Sequence, residues 1–264
     1  MNTSSSRRGS LQIGVFADNL GLPLRDGIRK AAELGADSFQ MFTTFGEVLP
    51  ENMSVEQAKE FRAFYEDLGL QLSATCADFG GGFVDAAHNA EMLPRMLAQI
   101  DLAVQLGTKV ITTHIGTIPP TPDATWDVMR VALDPIGTYA DEHGIALATE
   151  TGPESGLVLR DFLLTVNNHG IRVNLDPANL IARGFDLDEA LDALLPYIVH
   201  THAKDHYGEA ERGEAPLGKG ALPWPHYIAR LKAAGYHGAY TIEREAGDDR
   251  IGDVREAIAF LRQF

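Results

Sequence analysis

Cysteine is nearly absent from this chain. Cys76 stands alone, which excludes a disulfide framework and a cysteine-built metal site. A reducing, cytoplasmic setting is the expectation that fits. Positive charge is also scarce. Twenty-two Lys and Arg face 37 Asp and Glu, for a net charge of −15. Such a surface repels a phosphate backbone, so nucleic acid is not the expected partner. No apolar run approaches bilayer-spanning length, and no membrane association is expected. A Gly-x-Gly-x-x-Gly turn is missing after the first apolar run, which argues against a dinucleotide-binding sheet. The opening residues, Met1 to Ser10, lack an apolar stretch and carry Arg7 and Arg8. They read as a disordered polar tail rather than a signal peptide. No linker or low-complexity segment divides residues 11–264, which are expected to form one domain.

What is present is a repeat: a short apolar run, a loop, an amphipathic helix, a closing glycine. Strands are predicted over Gln12–Ala17, Ser38–Thr43, Leu70–Cys76, Lys109–His114, Ile145–Glu150, Ile171–Leu175, Tyr197–His202 and Ala239–Glu243. The spacing predicts helices over Leu24–Leu34, Ser54–Leu68, Ala90–Leu106, Ala124–His143, Gly156–His169, Asp186–Leu195, Pro225–Ala234 and Ile251–Phe264. Ser54 is placed as an N-cap, and Asp186 with Glu189 as a cap and its N3 partner. Gly35, Gly69, Gly107, Gly144, Gly170 and Gly235 stand as stops. Eight alternating βα units with apolar strands imply a parallel sheet covered by helices, closed as a (β/α)8 TIM barrel. An open doubly wound sheet is the alternative.

In such a barrel the site lies at the carboxyl ends of the strands. Four late strands end in ionisable groups: Glu150, Asp176, His202 and Glu243. A lone charge after an apolar run is costly to bury. Singly, each is as well explained by a cap, an ion pair or a core histidine; four at one rim call for a shared purpose. Three carboxylates and an imidazole suit a divalent metal ion, Mn²⁺ first, with Mg²⁺, Co²⁺ or Zn²⁺ as alternatives. Open coordination positions would accept a chelating diol or hydroxyketone. Glu150 and Glu243, well separated round the rim, could take a proton from one side and return it from the other.

Five segments then resemble a known family, the xylose-isomerase-like TIM barrels. They are Ala148-Thr-Glu-Thr-Gly152, Val173-Asn-Leu-Asp-Pro-Ala-Asn-Leu180, His200-Thr-His-Ala-Lys-Asp205, Pro216-Leu-Gly-Lys-Gly220 and Gly238-Ala-Tyr-Thr-Ile-Glu243. The family includes sugar isomerases and epimerases, inosose-processing enzymes and endonuclease IV. By resemblance, Glu150, Asp176, His202 and Glu243 match its metal ligands, and the two glutamates match the proton-shuttling pair of its epimerases. The chain departs from the ketohexose 3-epimerases at three substrate contacts. Gly156, Asn179 and Gly208 stand where those enzymes carry glutamate, histidine and arginine. A site built on buried polar partners discriminates strongly when they change. Glu154, Asn179 and Lys204 are the candidates for replacement substrate contacts. The trinuclear site of the DNA-repair branch is incomplete by the same resemblance: Asp78 follows the third strand in place of histidine, and His114 stands alone in the fourth.

The smaller features divide as follows. His114 is either a substrate contact or a hydrogen-bonding residue across the barrel. His200, one strand repeat below His202, is expected to support rather than ligate. Lys204 either binds a substrate oxygen or pairs with Asp205 or Glu243. Pro216–Gly220 is better read as a turn than as a phosphate loop. Phe16, Phe42, Phe45, Phe79 and Trp224 are expected mostly in packing, and Cys76 as a small buried hydrophobe. The expected function is therefore a metal-dependent isomerase or epimerase moving a proton next to a carbonyl of a sugar or cyclitol. A lyase or dehydratase acting on an inosose or a 3-oxo-glycoside by β-elimination is the alternative, and an endonuclease IV-like repair enzyme is a distant third. A non-catalytic sugar-binding barrel is the remaining reading. The partner is a small molecule, and a homo-oligomer is left open.

Overall fold

A computed structural model describes residues 11–208 and 213–264; the tail expected at residues 1–10 lies outside the described residues. In chain order the strands are β1 (Gln12–Phe16), β2 (Ser38–Phe42), β3 (Gln71–Cys76), β4 (Val110–Thr113), β5 (Ala146–Glu150), β6 (Ile171–Leu175), β7 (Ile198–Ala203), β8 (Asp205–His206), β9 (Glu214–Ala215) and β10 (Ala239–Ile242). The helices are α1 (Leu24–Leu34), α2 (Val55–Asp67), α3 (Ala86–Leu106), α4 (Ala124–Glu142), α5 (Gly156–Leu163), α6 (Pro177–Ala182), α7 (Leu187–Leu194), α8 (Trp224–Ala233) and α9 (Arg250–Leu261). Parallel pairing runs β1-β10-β7-β6-β5-β4-β3-β2, and β1 also pairs with β2, so the sheet closes. This is the eight-stranded (β/α)8 TIM barrel. No helix among the described residues is long and apolar enough to cross a membrane.

The strands bury both faces, as a helix-wrapped parallel sheet requires. Their outward side chains pack under the helices: Val15, Phe39, Ile111, Leu147, Val173, Leu175 and Ile242 are all but inaccessible. Several other strand positions are polar and equally buried, among them Gln40, Asn174, His200 and Thr241. Gly14 keeps that interior open on one side. A Cβ there would lie 2.6 Å from the Thr241 hydroxyl.

Local chemistry sets the helix boundaries. Ser54 and Gln57 form a reciprocal capping box on α2, and the Asp186 carboxylate accepts the Glu189 amide at 2.9 Å. Among the helices three departures from the sequence expectation stand out. α3 begins at Ala86, four residues early, because Asp85 accepts the amides of Ala87 and His88. α5 stops at Leu163 instead of His169. There the Asn168 side chain accepts the amides of Gly170 and Ile171 and turns the chain toward β6. α6 was not expected; it is only six residues long, and Asp176 caps it.

Candidate metal centre and active site

Glu150 ends β5, Asp176 follows β6, His202 lies next to the end of β7, and Glu243 follows β10. Parallel strands all present their carboxyl ends at the same rim, so four residues spread over 94 positions meet. One ligand atom from each lies within 4.8 Å of every other. His202 Nδ1 sits 3.2 Å from Glu243 Oε2, 3.5 Å from Glu150 Oε2 and 3.7 Å from Asp176 Oδ2.

Two atoms in this cluster are buried with no hydrogen-bond partner: Asp176 Oδ2 and His202 Nδ1. Both residues are tied down at their other polar atom. Asp176 Oδ1 accepts the amides of Ala178 and Asn179, at 2.8 and 3.1 Å. His202 Nε2 faces Gln40 Oε1 at 3.1 Å, and Gln40 Nε2 donates to the Thr112 hydroxyl at 2.9 Å. Asn174 Nδ2 also lies 3.4 Å from His202 Nε2. We assign the Nε2 proton to Gln40, because that contact is shorter and the Asn174 amide has Glu150 Oε2 at 3.2 Å as a charged acceptor. Nδ1 is then the nitrogen aimed into the cluster. Buried polar atoms rarely go unpartnered, and these two converge where a cation would sit. Burial alone would strip a proton from His202, yet the Glu243 and Glu150 carboxylates hold one on it well above the usual range. A divalent cation would neutralise the same carboxylates and take the Nδ1 lone pair in the proton's place. The donor set, hard and with one borderline nitrogen, fits such an ion.

The two glutamates are held differently. Glu150 accepts from neutral amides: Asn179 Nδ2 at 2.9 Å and Asn174 Nδ2 at 3.2 Å. Asn174 is itself fixed by His200, whose Nδ1 meets Asn174 Oδ1 at 2.8 Å and whose Nε2 meets the Thr241 hydroxyl at 3.0 Å. Burial keeps His200 neutral, its pKa well below the ordinary histidine value. His200 supports Glu150 through Asn174. Asn179 reaches Glu150 because Gly152 leaves room; a Cβ there would stand 2.8 Å from Asn179 Cβ.

Glu243 instead meets a cation. Lys204 Nζ donates to Glu243 Oε2 at 2.9 Å and also to Glu245 Oε2. Burial would deprotonate Lys204, but Glu243 and Asp176 hold it firmly as an ammonium. Burial would likewise raise Glu243, yet His202 and Lys204 keep it well below the ordinary carboxylate range. Lys204 therefore pairs with Glu243 and not with Asp205. The Asp205 carboxylate is occupied elsewhere: it accepts the amides of His206, Gly218, Gly220 and Leu222 and the Trp224 indole N–H. That wraps the Pro216–Gly220 segment round a carboxylate as a structural turn, with no free amide cradle for phosphate.

His114 stands at the mouth. Asp78 Oδ2 lies 2.6 Å from Nδ1 and pushes its pKa up to about 9. Its Nε2 faces Glu150 Oε1 at 3.8 Å. Glu154 is buried in the loop after β5, where it accepts the Ile118 amide at 3.2 Å. Burial raises its pKa to about 7, against partial opposition from the Ile118 amide and then His114. Phe16 packs 6.2 Å from the His202 ring and 4.8 Å from Phe42; Phe79 lies under Arg95 and Trp224 is fixed by Asp205, both in packing roles. Cys76 is buried, and desolvation pushes its thiol up to about 12, which leaves it inert.

Of the three positions that depart from the ketohexose pattern, Asn179 faces Glu150 while the other two are closed or turned away. A Cβ on Gly156 would lie 2.5 Å from Ala190 Cα, so this position packs α5 against α7. Gly208 adopts φ +96° and donates its amide to the His206 ring. Sequence reasoning missed Gln40, Asn174 and Thr151. The Thr151 hydroxyl bonds both the amide and the carbonyl of Asp176, tying the ends of β5 and β6 together. The available signal was a lone polar residue within an apolar strand: Ser-Phe-Gln40-Met-Phe and Arg-Val-Asn174-Leu.

The family model described as Xylose isomerase-like TIM barrel matches residues 28–264. Among solved structures, the xylose isomerase domain protein from Planctomyces limnophilus has a TM-score of 0.83 at 28% identity, covering 96% of each chain. The probable 3-DHS dehydratase AsbF from Bacillus anthracis has a TM-score of 0.79 at 14% identity, over 95% of this chain and 98% of that one. The 3-keto-D-glucoside 4-epimerase YcjR from E. coli has 0.75 at 18%, over 97% and 100%. At these last two identities the likeness is one of fold. No curated protein matches the chain.

Proposed function

This chain belongs to the xylose isomerase-like TIM barrel family, and on that premise we propose that it is a divalent-metal-dependent isomerase or epimerase of a sugar or cyclitol ketone. The observation that carries the reading is the convergence of Glu150, Asp176, His202 and Glu243, with His202 Nδ1 and Asp176 Oδ2 left unpartnered at the meeting point. These four would hold the ion, Mn²⁺ by the hardness of the donors. When bound, the ion supplies Lewis-acid polarisation and a template for adjacent substrate oxygens.

The chain's own groups do the rest. One of Glu150 and Glu243 removes the proton next to the carbonyl, and the other, protonated at that step, delivers its own proton to the neighbouring atom or the opposite face and is left as the carboxylate. Two of the three Lys204 protons go to Glu243 and Glu245; the third is a charged donor for a substrate oxygen. His114 Nε2 offers a further donor on the Glu150 side, Asn179 spends both Nδ2 protons on Glu150 and the Thr151 carbonyl and leaves its Oδ1 as an acceptor, and Glu154 adds a carboxyl poised near neutrality. The acidic surface and lone buried cysteine suit a small-molecule enzyme of the cytoplasm.

The test is deuterium. Mn²⁺-loaded protein is incubated in D₂O with ketoses, cyclitol ketones and 3-oxo-glycosides, and products are read by mass and NMR. Carbon-bound deuterium in an isomer is the expected result. No exchange across the panel overturns the reading. A second outcome has support in the packed Gly156 and the turned Gly208, which remove ketohexose contacts. The same proton removal followed by loss of a β-substituent would release water or an aglycone, and that product identifies a lyase.

A further inference from the structure

Beside the metal ligands lies a second buried charge cluster that the catalytic reading leaves unused. Arg244 follows Glu243 directly and is buried. Its guanidinium is forked between two carboxylates: Nη1 to Glu214 Oε1 and Nε to Asp253 Oδ2, both at 2.7 Å. The other Glu214 oxygen accepts the backbone amides of Glu245 and Ala246, at 3.1 and 3.2 Å. One carboxylate on β9 thus grips three consecutive residues after β10. Gly247 makes room, since a Cβ there would stand 2.7 Å from both Arg244 Nη2 and Asp253 Oδ2.

A buried ion pair is poor value for stability, because desolvation offsets most of the attraction. The arrangement makes better sense as registry. Glu214 fixes the backbone of Glu245, whose side chain reaches Lys204; Lys204 in turn holds Glu243 Oε2, which faces His202 Nδ1 at 3.2 Å. The loop after β7 is thereby tied to the loop after β10 on the metal side of both.

We propose that Glu214, with Arg244, is a positioning residue that sets the Glu243–Lys204 pair at the metal centre. The proposal rests on the metal reading above and deepens it. Neither residue touches substrate; each acts through the carboxylate that does. Partners that orient metal ligands typically change metal affinity about 10–100-fold when removed.

The test uses the full-length protein and Mn²⁺ itself. Binding is measured by calorimetry and the ligand sphere by the Mn²⁺ EPR spectrum, for wild type, Glu214→Gln and Glu245→Gln. Glu214→Gln is expected to weaken Mn²⁺ binding about tenfold or more and to alter the spectrum. Glu245→Gln should shift both the same way by less. Loss of a merely structural contact would lower the melting temperature without moving the spectrum. If both variants fold, bind Mn²⁺ as wild type does and give its spectrum, the positioning role is overturned while the metal reading stands. If Glu214→Gln does not fold, the exposed Glu245→Gln decides: an unchanged spectrum overturns the role. Wild type that binds no Mn²⁺ defeats the metal reading first and leaves nothing to position.

Discussion

The two glutamates at the barrel rim share a residue type and face one centre, yet they live in different chemistry. Glu150 is held by the neutral amides of Asn179 and Asn174, with His114 Nε2 at 3.8 Å. Glu243 is held by the Lys204 ammonium and lies 3.2 Å from His202 Nδ1. A neutral donor orients a carboxylate without neutralising it, whereas an adjoining cation stabilises its charged form and weakens it as a base. Glu150 thus meets amides directly and the His114 ring only at 3.8 Å, whereas Glu243 is in direct contact with an ammonium. Under the proposed function the Lys204-held Glu243 is expected to bind the ion more tightly than Glu150.

The largest effect should come from the pair itself. Glu150→Gln and Glu243→Gln are each expected to lower turnover by about 10²–10⁴-fold. The asymmetry appears in metal binding, where Glu243→Gln should lose more affinity than Glu150→Gln. Equal losses by calorimetry would break the comparison.

A smaller effect is expected from Lys204→Met. Removing one partner of a buried ion pair leaves the other uncompensated, at a cost of about 3–5 kcal/mol. The urea midpoint of the metal-free variant should fall accordingly. Added Mn²⁺ should recover more stability for the variant than for wild type, since it supplies the missing positive charge to Glu243. Identical metal-induced shifts would show that Lys204 and the metal centre are not coupled.

The smallest effect is expected from Asn179→Ala, which removes one hydrogen bond to Glu150. Such a bond to a charged group contributes about 1.5–3 kcal/mol. Turnover should fall about tenfold or somewhat more with the fold intact by circular dichroism. A loss as large as that of Glu150→Gln would mean Asn179 does more than orient its neighbour.

These contrasts also show where sequence reading reaches its limit. The strand–helix rhythm was legible because side-chain period and closing glycines are local, and so was the capping at Ser54 and Asp186. The rim residues were legible for a related reason: a charge after an apolar strand is conspicuous wherever the strand goes. α6 was not legible, because six residues carry too little pattern. The Asp205 knot was not, because four of its five donors are backbone amides, which carry no side-chain signature. Nor was the Gln40 contact to His202, which joins β2 to β7 across 162 positions.

By itself the sequence determined eight βα units, and hence a barrel whose strand ends share one rim; that follows from apolar periodicity and the handed, parallel connection of such units. It also supplied the identities of Glu150, Asp176, His202 and Glu243. Tertiary structure alone decided how each is held and left Asp176 Oδ2 and His202 Nδ1 unpartnered. Asp176 spends one oxygen on capping α6, and His202 spends one nitrogen on Gln40. Glu150 meets amides while Glu243 meets Lys204. Those choices depend on groups brought together by barrel closure, and burial there makes each unpaired atom costly.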